Sequence, residues 1–295
     1  MTIETGADNH DGGIQGLFSG LSVEQEQALS EFLENHQAVL NENEELRKQL
    51  QLAGEIQRSS MPEGGPVIEG YDTGALMIPS KDLGGDFFDF YLPSAFRKNP
   101  KKSEVGIAVA DVVGKGAAAA LLGAMTHALF HAETFRGGVP ADVLKRINYN
   151  LVLSAKNTGL FVTALYGVLY PQNGKFEFAR AGHVLPVVYD KAGYPAEIDL
   201  RNGQPLNVNL APSIHEGEVK LEKGGKLFLI TDGILEAPGN NGEQFGNERF
   251  DEIVRDNWNL PTQEICRKML DAVCDHEGNP QNFSDDCAII GISRF

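Results

Sequence analysis

The sequence predicts an α+β sandwich rather than an alternating βαβ fold, on two observations. Short apolar runs rich in β-branched residues are joined by hairpin-type turns, and stretches of helical periodicity fall in separate blocks. No repeat of 20 to 50 residues interrupts this reading.

Taken in chain order, residues 1–20 are Gly-rich and polar, the composition of a disordered tail. Over 21–60 strong helix formers dominate, with no Pro and no Gly before Gly54. A heptad frame puts Leu29, His36, Asn43 and Leu50 at one seam position and Phe32, Val39, Leu46 and Ala53 at the other, between Glu- and Gln-rich flanks. The expected element is a coiled-coil-like regulatory helix that forms a homodimer, with Asn43 favouring one register at a cost in stability. A lone amphipathic helix packed on its own domain, its stripe widened by Leu33 and Leu40, is the alternative. Pro62 and Gly64-Gly65-Pro66 end the helix, and a second domain is expected over 66–295.

Within that domain Val105–Val113 (VGIAVADVV) and Phe161–Tyr170 (FVTALYGVLY) read as strands. The turn PQNG at 171–174 returns the second into KFEFARA, where Phe176 and Phe178 alternate, so this pair reads as a hairpin. Further strands are expected at Val184–Tyr189, Gly217–Leu221, Lys226–Thr231 and Cys287–Ser293, and helices at Ala117–Phe135, Pro140–Lys156 and Pro261–His276.

Composition excludes several function classes. Among 295 residues, 41 Asp and Glu oppose 25 Lys and Arg, a formal charge of −16. A surface built on nucleic acid or anionic lipid needs a basic face, so neither is expected as a partner. The first sixty residues hold eleven acids against three bases, half of the net charge. The N-terminus lacks a basic cluster followed by an apolar run, and no apolar stretch reaches the ~18 residues that span a bilayer. Cys266, Cys274 and Cys287 show no Cys-x-x-Cys spacing. A reducing, cytoplasmic location is expected.

The chemistry lies in the acids. Asp86 in GGDFFDF, Asp111 in VADVVGKG, Asp232 in LITDGILEA and the pair Asp285-Asp286 in FSDDCAII each stand at the end of a β segment, Asp86 and Asp232 directly beside glycine. A single Asp-Gly is an ordinary turn or helix cap. Four in order suggest one cleft, where clustered carboxylates are expensive without a cation. Oxygen donors without a thiolate favour Mg²⁺ or Mn²⁺ over Zn²⁺.

GGDFFDFY (84–91), AVADVVGKGAAAALL (108–122), FVTALYGVLYPQNGKFEFARAGHVLP (161–186), LFLITDGILEA (227–237), EQFGNERF (243–250) and SDDCAIIGI (284–292) resemble, in the same order, the SpoIIE/RsbU-type serine phosphatases of the metal-dependent, protein phosphatase 2C-like superfamily. The resemblance implies a four-layer α-β-β-α sandwich of two antiparallel sheets with a site for two Mn²⁺ or Mg²⁺ ions at one end. It implies that Asp111 bridges both ions beside the Val112 carbonyl, that Asp232 and Asp285 complete one ion, and that Asp86 ligates directly or holds metal-bound waters. Asp286, adjacent to Asp285, leaves that last choice open, and Asp89 receives a supporting structural role. Such ions would activate a water for attack on phosphoserine. Cys287-Ala288 stands where the family more often has a small residue and Thr, QPLNVNLAP (204–212) matches a family loop only loosely, and no arginine is placed to grip phosphate.

The function implied is a protein serine/threonine phosphatase acting on a phosphorylated STAS-domain anti-sigma-factor antagonist, with an activating protein partner engaging the N-terminal helix. Two alternatives stay open: a catalytically weak phosphatase-like binding module, and a hydrolase of small phosphate esters. Other signals read as structural. GKGAAA with Glu133 imitates a dinucleotide loop, but Glu133 falls within a helical pattern. His127 and His131, spaced i, i+4, could face a metal together, but with no Glu at the expected place between them a core or surface helix face is expected. His183 is expected to be structural or cleft-lining, Cys266 and Cys274 small core residues, and Trp258 an anchor at a helix end.

Overall fold

A computed structural model describes residues 22–92, 104–155, 158–278 and 283–295. The tail expected at 1–20 lies outside the described residues. The chain divides between Leu50 and Gln51 into two units. Helix α1, Val23–Ser59, begins in a capping box: Ser22 N–H donates to Gln25 Oε1 at 2.9 Å, and Gln25 N–H to Ser22 Oγ at 3.3 Å. Its seam side chains Phe32, Val39 and Leu46 are 62%, 53% and 51% exposed.

The larger unit holds two antiparallel sheets. One runs in the order β1 (Tyr71–Ile78), β9 (Cys287–Arg294), β8 (Lys226–Ile230), β6 (Val187–Tyr189). The other runs β2 (Phe87–Tyr91), β3 (Val105–Val112), β4 (Val162–Tyr170), β5 (Lys175–Ala181), β7 (His215–Lys220). The helices are α2 (Ala117–Arg136), α3 (Pro140–Ser154), α4 (Asp232–Leu235), α5 (Gly246–Asp256) and α6 (Thr262–Glu277).

Side-chain alternation turns these elements into four layers. In β3, Ile107 and Val109 meet Leu227, Leu229, Ile290 and Ile292 of the facing sheet. Their neighbours Ala108, Ala110 and Val112 instead pack on Leu122 and Phe130 of α2 and Leu144 and Ile147 of α3. On the far side Phe228, Ile230 and Ile289 pack on Phe250, Val254, Ile265 and Met269 of α5 and α6. β3, β8 and β9 thus bury both faces, which is why the sequence shows unbroken apolar runs there. Each large aliphatic side chain in these layers contributes about 1.5–3 kcal/mol. The α-β-β-α sandwich expected from the motifs is therefore the observed fold.

Where element boundaries differ from expectation, the causes are local. β6 is only Val187–Tyr189 because Pro186 has no N–H for the ladder. β1 is not anticipated, since YDTGALMI neither alternates nor forms a continuous apolar run. It is held by tertiary contacts: Gln263 of α6 accepts from Ala75 N–H at 2.9 Å and donates to Ala75 O at 3.1 Å. No helix among the described residues is long and apolar enough to cross a membrane.

Candidate functional site

The four acidic positions sit where strands end. Asp86 precedes β2, Asp111 is the penultimate residue of β3, Asp232 opens α4 directly after β8 and Thr231, and Asp285-Asp286 precede β9. Asp111 shares the strand face of Val109, so its side chain lies on the side between the two sheets.

Their mutual electrostatics place them together. Asp86 is held well above the usual carboxylate range by burial and then by the charges of Asp111 and Asp286. Asp111 is also raised, first by burial, with Asp285 and Asp286 adding to it and hydrogen bonds from Asp86 and Thr163 opposing it. Asp232 is pushed up to about 6 by burial and then by Asp111, Glu236 and Asp285. Asp86 is 2% exposed, and its Oδ2 has no hydrogen-bond partner among the described residues. A carboxylate oxygen buried without a donor, beside other acids, is costly in the protein alone. This all-oxygen donor group fits a hard divalent cation such as Mg²⁺ or Mn²⁺.

The adjacent acids Asp285 and Asp286 do different things. Asp286 is buried, and both of its oxygens are engaged: Oδ1 accepts from Ser80 N–H at 2.7 Å and Ser80 Oγ at 2.8 Å, and Oδ2 accepts from Gly85 N–H at 2.6 Å. It thereby ties the end of β9 to the loop that carries Asp86. Asp285 is half exposed, and its Oδ2 lies 3.1 Å from Lys115 Nζ, which also donates to the Ser284 carbonyl. The loops approach so closely that side chains are excluded at two glycines. A Cβ at Gly85 would meet the Val112 carbonyl at 2.9 Å, and one at Gly233 would meet the Asp286 carbonyl at 2.1 Å.

Supporting residues were only partly legible in the sequence. Thr163 pairs with Asp111 in the β3–β4 register, and its hydroxyl lies 2.8 Å from His183 Nδ1. His183 Nε2–H donates to the Ile230 carbonyl at 3.0 Å, and burial pushes the imidazole down to about 3, so it is a neutral brace between the sheets. Lys115 was visible only as the middle of GKG. Ser80 and Gln57 gave no signal, yet Gln57 Nε2 donates to Gly84 O at 2.6 Å and Gln57 Oε1 accepts from Gly84 N–H at 3.2 Å.

His127, buried, and His131, exposed, lie on one face of α2 as expected, and both reach Asp89. Asp89 shares the strand face of Phe87 and Tyr91, which packs under α2. It is therefore turned away from the Asp86–Asp111 group.

Comparison with known proteins agrees with this fold. The sequence pattern of the family described as Stage II sporulation protein E (SpoIIE) matches residues 101–295. The phosphoserine phosphatase RsbU of Bacillus subtilis is 26% identical over 268 residues, covering 88% of this chain and 74% of that protein. Among solved structures, the SiaA-PP2C domain of Pseudomonas aeruginosa superposes with a TM-score of 0.70 at 22% identity, covering 86% of this chain and 98% of that one. RsbX in complex with magnesium superposes with a TM-score of 0.56 at 17% identity, covering 78% and 98%.

Proposed function

Since the chain belongs to the family of Stage II sporulation protein E, we propose that it is a metal-dependent protein serine phosphatase whose strand-end aspartates hold two Mn²⁺ or Mg²⁺ ions. The observation that carries the metal assignment is the buried, partnerless Oδ2 of Asp86, in a group where burial and neighbouring acids raise Asp86, Asp111 and Asp232. Asp86, Asp111, Asp232 and Asp285 would hold the ions together with the Val112 carbonyl. Asp286, with both oxygens engaged, is the brace that fixes the Asp86 loop. Ions bound there supply an activated water and offset charge on the phosphoryl oxygens.

The chain's own residues orient and confine this chemistry. Gly85 and Gly233 allow the loops to close on Asp86, Val112 and Asp286 without intervening side chains. Lys115, at the rim on Asp285, offers a cation to the substrate phosphate. With no arginine placed to grip the phosphate, that role falls to this lysine from the loop after β3.

The proposed substrate is phosphoserine on a STAS-domain antagonist, supported by the likeness to RsbU and by the motif resemblance. Control through a homodimeric α1 and an activating partner is supported by the exposed seam and by the two hydrogen bonds from Gln57 to Gly84. A cytoplasmic location is supported by the buried thiols of Cys266 and Cys287, neither of them in a disulfide.

The test is release of phosphate from a phosphorylated STAS protein in Mn²⁺, with EDTA as control. Asp111→Ala and Asp232→Ala are expected to lower the rate by roughly 100-fold or more, the scale of losing a major electrostatic stabiliser. Undiminished rates in both variants would overturn the assignment. Equal kcat/KM on a small phosphate ester would instead favour the small-ester hydrolase, since protein-surface binding energy would then go unused.

A further inference from the structure

We propose that Asp89, His127 and His131 form a second metal site, for a nitrogen-seeking transition ion such as Zn²⁺, on the outer face of the five-stranded sheet. It stands apart from the phosphatase reading and does not depend on it. His127 and His131 lie one helical turn apart on α2, with ring centroids 4.8 Å apart. Their Nε2 atoms lie 2.7 Å and 2.8 Å from the same oxygen, Asp89 Oδ2. The three candidate ligand atoms all fall within 4.8 Å of one another. The other oxygen, Asp89 Oδ1, accepts from Phe90 N–H at 2.6 Å, which fixes the carboxylate.

Two imidazoles and one carboxylate form a donor set that favours Zn²⁺ over the hard ions suited to an all-carboxylate group. Ligand atoms around a tetrahedral Zn²⁺ lie about 3.3 Å apart, so each contact must open by about half an ångström. The His131 side chain is 49% exposed and free on its outer side to make that adjustment and to admit the ion. On binding, each neutral ring carries its proton on Nδ1 and leaves Nε2 for the metal.

A second observation points to a ligand here. Tyr91 is 2% exposed, and its hydroxyl has no hydrogen-bond partner among the described residues. Its ring meets the His131 ring edge-on at 5.1 Å.

The site is separate from the carboxylate group. Asp89 lies three residues beyond Asp86, about 10 Å along an extended chain, and on the opposite face of the sheet from Asp111. An ion there would fasten α2 to β2. Since α2 starts five residues after Val112, it would stiffen the helix that follows the Asp111 loop.

The test uses the full-length protein in excess Mg²⁺, which occupies the all-oxygen group, titrated with Co²⁺ as a spectroscopic stand-in for Zn²⁺. A single equivalent of Co²⁺ is expected to give visible d–d absorption that Zn²⁺ displaces, and Zn²⁺ is expected to raise the melting temperature. His131→Ala should lose the band and weaken Zn²⁺ binding by more than about tenfold. Its far-ultraviolet circular dichroism should match the parent. Asp111→Asn should keep the band. No band in the parent, a band that survives in His131→Ala, or one that vanishes in Asp111→Asn would each overturn the proposal.

Discussion

His183 is buried between Thr163 of β4 and the Ile230 carbonyl of β8, and so joins the two sheets by one neutral ring. Its folded-state pKa, pushed down to about 3, lies below the ordinary value of 6.5. Between those values the unfolded chain binds a proton that the folded chain does not. Stability from this group is therefore complete above 6.5 and is lost as pH falls. From pH 6.5 to 5 the loss should be about 1–2 kcal/mol, and His183→Gln should remove it. Urea midpoints of parent and variant at pH 7.5 and 5 measure the difference; parallel pH dependences would contradict it. At this scale the motifs singled out Asp86, Asp111, Asp232 and Asp285, but not which of two adjacent acids braces the Asp86 loop. Asp285 and Asp286 share a motif and a charge, and what distinguishes them is that buried Asp286 bonds Ser80 and Gly85 while half-exposed Asp285 faces Lys115.

The last turns of α1 form an element-scale coupling. Gln57 bonds both the N–H and the carbonyl of Gly84, two residues before Asp86, and a Cβ at Gly54 would meet the Asp82 carbonyl at 2.1 Å. The helix end is thereby fitted to the loop that carries a proposed ligand. Gln57→Ala removes both contacts, at about 1 kcal/mol each. The expected result is a several-fold weaker dependence of the rate on Mn²⁺, with a smaller change in kcat once Mn²⁺ saturates. A Mn²⁺ titration of phosphate release reads this split, and an unchanged half-saturation would remove Gln57 from the coupling. The strong strands and three long helices were legible because their apolar periodicity reflects one or two buried faces. β1 was not, because Gly74 and Ala75 are chosen by the close passage of Gln263 and Thr262 rather than by strand propensity.

For the whole molecule, the acidic N-terminal segment and the sandwich carry different consequences. The α1 seam exposes Phe32, Val39 and Leu46, whose burial in a dimer would contribute about 1.5–3 kcal/mol each. Phe32→Glu with Leu46→Glu places like charges in that seam and should convert a dimer to a monomer in analytical ultracentrifugation, with phosphate release per chain in saturating Mn²⁺ retained. A parent that sediments as a monomer would refute the homodimer. The sequence by itself determined the α+β class and the order of the strand-end acids, because these depend on periodicity, turn chemistry and local spacing. Only the tertiary structure decided that Asp286 braces the loop, that Lys115 meets Asp285, and that His127 and His131 converge on Asp89. Those contacts join residues 38 to 201 positions apart, and no local pattern encodes which side chains long-range packing brings within hydrogen-bonding distance.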